Sequence, residues 1–200
     1  MLTALHQLSG GRLVAGVGPG SSPRDYAAIG VPFEDRWARF DAAVRELRPL
    51  LDGGPPVWLA SWGSPAGLRR VARLGDGWLA SGYNTTPARF RDGASFLTQE
   101  RTAAGREDLP NGLATMWLYV TERRRDADRV LTDVLAPLVG RPVEELRDLA
   151  LPIGSAEQCA ERISAYRDAG AQRVFVWPLA DDVEQLRRFA EDVVPRVGTV

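Results

Sequence analysis

Residues 56–81, PVWLASWGSPAGLRRVARLGDGWLAS, constrain this chain more than any other stretch. The apolar run 57–60 suits a strand buried on both faces. Ser64 stands where a helix N-cap belongs, and Pro65 follows at the first helical position, where its missing N–H costs nothing. Gly63, just before the cap, lets a ligand approach the backbone closely. Gly75 closes the helix, and 77–81 begins a second strand. The segment therefore reads as strand, loop, helix, turn, strand. The unpaired N–H groups at such a helix start favour an anion at the C-terminal end of the first strand.

The composition narrows what surrounds this unit. Two hundred residues suit one domain, 1–200, with a sizeable core. A net charge of −1 with no basic stripe argues against a nucleic-acid partner. No apolar run is long enough to span a membrane, and no leader segment is visible, so a cytoplasmic location is expected. The one cysteine, Cys159, excludes an internal disulfide. With one histidine, His6, beside it, neither a metal cluster nor a Ser/His/Asp set is expected. All basic residues are arginine, which rules out lysine Schiff-base chemistry.

Strands are expected at 12–17, 57–60, 77–81, 113–121 and 173–177, each followed by helix. Helical spacing runs through 34–51, with Trp37, Phe40, Val44 and Leu47 on one face. Helices are also expected at 87–104, 125–138 and 143–149. Ser155 with Gln158 forms a capping box for a helix ending at Gly170, and Asp181 with Glu184 is expected to cap the last helix. Such alternation predicts an α/β fold with a parallel sheet. The glycines of Gly16-Val17-Gly18-Pro19-Gly20 have the wrong spacing for a dinucleotide fingerprint, and no helix is expected directly after them. They read as a strand-to-helix loop or as the lining of a cofactor pocket.

Three stretches together carry a family resemblance. Residues 8–51, the pattern P-x-W-x-x-x-x-G-S with R-x-A-x-x-x-D-G-W across 56–78, and G-S-x-E-Q-x-A-E-R-x-x-x-Y-x-x-A-G at 154–170 resemble the luciferase-like monooxygenases. These are flavin- or coenzyme F420-dependent oxidoreductases. The resemblance implies a (β/α)8 TIM-barrel type, incomplete here, with about five strand–helix units visible. It implies FMN or coenzyme F420 as cofactor and a small organic substrate. The first three strand–helix units of the family, which normally precede residue 8, have no counterpart. No catalytic acid or base can therefore be assigned. The two end strands, 12–17 and 173–177, are expected to be covered by a second copy of the chain, as a homodimer, or by an upstream segment.

By the same resemblance Ser61, Trp62, Gly63 and Ser64 hold the cofactor phosphate through backbone N–H groups. Read from the residues alone, the loop is also a plain helix cap. Arg24 follows the glycine loop and suits an anionic cofactor tail, while Gly18 and Pro19 lie at a strand end facing the expected pocket. Tyr83 and Asn84 follow the Trp78 strand and are the expected substrate contacts. Trp177 joins them as a candidate, although Trp78, Trp117 and Trp177 all sit in strands where packing is the commoner role. The alternative to an enzyme is a flavin- or F420-binding or vestigial, oligomerising family member that does not turn over.

Overall fold

A computed structural model describes residues 1–198. The chain divides into two compact units. The first holds Met1–Leu79 and Phe96–Pro110. Its elements run α1 (Leu2–Leu8), β1 (Ala15–Val17), α2 (Pro23–Ala28), a 3-10 turn (Phe33–Asp35), α3 (Arg36–Leu50), β2 (Val57–Ala60), α4 (Pro65–Leu74) and most of β3 (Gly77–Ser81). The later part of α5 (Pro87–Ala103) completes it.

Strands β1, β2 and β3 pair in parallel, with Gly16 opposite Trp58 and Trp58 opposite Gly77. Alternation then separates two faces. Leu59 and Trp78 lie on the face that meets α4, where Leu68 and Val71 are also buried. Trp58 lies on the other face, across Gly77. A Cβ on Gly77 would fall 2.5 Å from the Trp58 indole nitrogen, so glycine is required there. Arginines finish α4: Arg48 donates to the Leu74 carbonyl, Arg101 to Ala72, and Arg106 to Ala72 and Arg73. A helix end leaves these carbonyls without backbone partners, and cations suit its dipole. Asp76, in the turn that follows, accepts from the Val57 N–H at 2.9 Å and pairs with Arg48 at 2.7 Å.

The second unit holds Ala80–Ser95 and the chain from Asn111 onward. After β4 (Asn111–Val120) come α6 (Arg124–Arg129), a π-helical turn (Val130–Leu135), α7 (Ala136–Val139), α8 (Val143–Arg147) and β5 (Ile153–Gly154). Next follow α9 (Ala156–Asp168), β6 (Val174–Pro178), α10 (Asp182–Arg188), a second π-helical turn (Phe189–Val193) and α11 (Val194–Val197). β4 is flanked by β5 and β6, both parallel to it. Leu118 and Val120 pack on Ala156, Cys159 and Ala160 of α9. Leu131, Leu135, Leu146, Leu151 and Ile153 form a second cluster. Each π-helical turn runs into a helix with proline at its second position, Pro137 or Pro195. Proline donates no N–H and crowds the carbonyl four residues back, so the ladder shifts its register there.

The parallel pairing, the α4 cap and the capping box at Ser155 match the sequence expectations. Four details differ. The first strand is shorter than 12–17, and the glycine loop opens directly onto α2, capped by Ser22. β5 is a two-residue strand, too short to leave a periodic signal. Asp181 makes no capping hydrogen bond and instead takes a left-handed conformation at φ +48°. Of the strand tryptophans, Trp78 is core at 1% exposure, whereas Trp177 is 46% exposed.

Candidate functional site

The glycine loop after β1 and the serine loop after β2 meet because their strands are paired in register, Val17 beside Leu59. Gly18 packs against Ala60 so closely that a Cβ on it would stand 3.0 Å from the Ala60 Cβ. The Pro19 carbonyl accepts from the Tyr26 hydroxyl, which ties the loop to α2. Of the residues singled out from sequence, Gly18, Pro19, Arg24, Ser61, Trp62, Gly63 and Ser64 all belong to this first unit.

Each residue of the serine loop has a physical reason for its identity. Ser61 is 6% exposed, and its Oγ accepts from the Gly63 N–H at 3.3 Å. Gly67 makes room for that hydroxyl, since a Cβ there would sit 2.4 Å from it. Ser64 caps α4 by accepting from the Gly67 N–H at 3.2 Å. Gly63 holds φ at +93° with nothing within 4 Å of a Cβ position. The space beside this backbone is therefore open. Among the described residues, the N–H groups of Trp62, Ser64 and Ala66 find no acceptor. Trp62 is 58% exposed. Arg24 is exposed and makes no ion pair or hydrogen bond with any described residue. Free amides around an open helix start, with an uncommitted guanidinium in the first turn of α2, are groups that bind phosphate.

Tyr83, Asn84 and Trp177 lie in the second unit. Arg141 donates to the Tyr83 carbonyl, and the Tyr83 side chain packs against the Leu131–Leu146 cluster. Asn84 is partly a turn residue: its N–H donates to the Ser81 carbonyl at 3.1 Å and its amide to the Ser81 hydroxyl at 3.0 Å. Trp177 stands opposite Trp117 in register, and the rings meet edge to face at 5.3 Å. Phe175, two residues earlier on the same face, is 40% exposed.

One feature here escaped sequence reasoning. Thr115 adopts φ +54° at a bulge where the β4–β6 register shifts between Leu113 and Met116. A β-branched residue pays for that conformation. Its hydroxyl donates to the Ala114 carbonyl at 2.7 Å and lies 3.1 Å from the Ser81 hydroxyl. Asn84, Ser81 and Thr115 thus form one hydrogen-bonded chain. Nothing in the apolar pattern LATMWLYV marks a bulge, because its strained residue is not glycine. Other titratable groups are less promising. Burial pushes the Cys159 thiol up to about 12, and His6 sits against the Leu13 carbonyl at 3.2 Å. Among the described residues no group of His, Cys, Asp or Glu could hold a metal ion.

The family model of the luciferase-like monooxygenases matches residues 1–141. The chain belongs to the luciferase-like monooxygenase family. Solved structures agree on the fold. An F420-dependent secondary alcohol dehydrogenase in complex with an F420-acetone adduct superposes with a TM-score of 0.82 at 16% identity, covering 99% of this chain and 73% of that one. A monooxygenase, RslO1, from Streptomyces bottropensis gives 0.73 at 18% identity, with 98% and 72% covered. The coenzyme F420-dependent tetrahydromethanopterin reductase from Methanopyrus kandleri gives 0.70 at 16%, with 98% and 78% covered. No curated protein sequence matches the chain significantly. This luciferase-like chain accordingly has a partial parallel (β/α) barrel fold, and its serine loop lies where strands of such barrels end.

Proposed function

We propose that the chain is an oxidoreductase that uses FMN or coenzyme F420 to act on a small organic substrate. The observation that carries this reading is the start of α4, with its open Gly63 backbone, uncommitted amides and Ser61–Ser64 scaffold. Ser61 to Ser64 would hold the phosphate, and Arg24 would meet the anionic tail. Bound there, either cofactor supplies the redox chemistry, oxygen activation by flavin or hydride transfer by F420. The protein's own part is to hold the charge, fix the orientation and keep water off the bound ring.

For the substrate we propose contacts from Tyr83, Asn84 and Trp177. The exposed indole of Trp177 offers an apolar face, and the Asn84 carboxamide oxygen remains available as an acceptor. The test is a titration of purified protein with FMN and with F420, followed through tryptophan fluorescence. One of the two is expected to quench it saturably, and Gly63→Val to weaken that binding by about tenfold or more. Turnover with the reduced cofactor then separates an enzyme from a non-catalytic binder. Failure of both cofactors to bind a folded sample overturns the proposal.

A further inference from the structure

A pocket of about 450 Å³ opens in the second unit, beside the ends of β4 and β5 and along one face of α9. Its size falls within the range of small-molecule sites. The floor is apolar, built from Leu131, Leu146 and Leu151. The rim is charged, with Arg124, Arg147 and Arg162 against Glu122 and Asp128. The three cations exceed the two anions by one.

Arg162 decides what that excess is for. Its Nη1 donates to the carbonyls of Leu151 and Ile153, at 2.7 and 2.5 Å, so the guanidinium is held in place. It is half-buried, and it makes no ion pair and no other hydrogen bond among the described residues. Nη2 and Nε therefore remain uncommitted on a fixed fork, the geometry that grips a carboxylate through two parallel bonds. Of the other charges on the rim, Arg124 points into solvent 3.8 Å from Asp128, and the rest are engaged. Asp128 accepts from Arg147 at 2.6 Å, and Glu122 accepts from the Ala156 N–H at 3.3 Å. What sets Arg162 apart from the other arginines that brace carbonyls is its place on the rim of a pocket with a leucine floor, with two donors still free. A partly buried cation is stable when paired, and no described carboxylate pairs with this one.

We infer that this pocket binds a small organic monoanion, a carboxylate with a short apolar chain, with Arg162 taking the carboxylate and the leucines taking the chain. The inference does not depend on the cofactor reading, because the residues lie apart in the sequence from the serine loop and its amides.

Isothermal titration with octanoate, and with octanol as the neutral control of equal chain length, tests it. Octanoate is expected to bind saturably and octanol about tenfold or more weaker. Arg162→Met should remove the preference for the acid. Because Met also frees the Ile153 carbonyl and leaves Leu151 only the Ile153 N–H as donor, Ala127→Phe provides a variant that keeps Arg162 and fills the pocket that Ala127 lines. It should abolish octanoate binding while the far-ultraviolet dichroism stays unchanged. Equal affinity for acid and alcohol, no saturable octanoate binding, or octanoate binding unaffected by Ala127→Phe would each overturn the inference.

Discussion

Glycines decide the βαβ unit at 56–81 at the level of single residues, and they do so for opposite reasons. Gly63 has open space but a positive φ, so a side chain there costs conformational strain and blocks ligand approach. Gly63→Ala should lower stability by about 1 kcal/mol and cofactor affinity by more, measured by urea unfolding and by titration. Gly77 has an ordinary φ but no space, because the Trp58 indole fills it. Gly77→Ala should cost about 1–3 kcal/mol through overpacking and leave any residual cofactor affinity per folded molecule unchanged. The buried Cys159 and Tyr166 make a further residue-scale point. Burial raises both, the thiol to about 12 and the phenol above its usual range. Each therefore holds its proton more tightly folded than unfolded. The stability this represents is complete below about pH 9, where the unfolded thiol is still protonated, and is lost as the pH climbs toward about 12. The urea midpoint should fall between neutral and strongly alkaline pH, and Cys159→Ala should flatten that fall.

Elements here are joined by side chains that imitate backbone. Gln185 of α10 is 3% exposed; its Oε1 accepts from the Val120 N–H and its Nε2 donates to the Val120 carbonyl at 3.2 Å. This carboxamide completes the pairing of β4 beyond the point where β6 ends, since the β6 register stops at Leu118 opposite Pro178. Gln185→Ala leaves the Val120 N–H buried and unpaired and its carbonyl with only the longer bond from Arg188 at 3.4 Å, and should destabilise the protein by about 2 kcal/mol in urea unfolding. Asn111 works the same way at the start of β4, donating to the Gly170 carbonyl at 3.1 Å and accepting from the Gln172 N–H at 3.0 Å. The Ser64 cap is smaller in scale: Ser64→Ala should cost about 1 kcal/mol, with a larger loss in cofactor affinity if the amides it orders carry the phosphate.

For the whole molecule the open question is what meets the two end strands. β1 pairs with β2 and β6 with β4, and Phe175 and Trp177 of β6 are each at least two-fifths exposed. Apolar parallel strands are ordinarily covered on both faces and along their edges. We expect the chain to associate as a homodimer, so sedimentation velocity should show a concentration-dependent species of twice the monomer mass. A monomer at every concentration would refute this.

Much of this was legible in the sequence wherever the signal is local. The βαβ unit at 56–81 announced itself through an apolar run, an N-cap, a proline at the first helical position and a closing glycine. These act within a few residues of one another, so the strand, the α4 cap and the need for glycine at position 63 follow from the chain alone, while the open space beside it is a tertiary fact. Family membership was legible because three motifs recur in order. What only the tertiary structure decided depends on residues far apart in sequence. The Thr115 bulge is set by the mismatch between β4 and β6, β5 exists only because β4 lies beside it, and the Arg162 pocket is closed by α6, α8 and α9 together. No local pattern encodes such meetings, because their energy lies in packing between elements rather than in the conformation of any one of them.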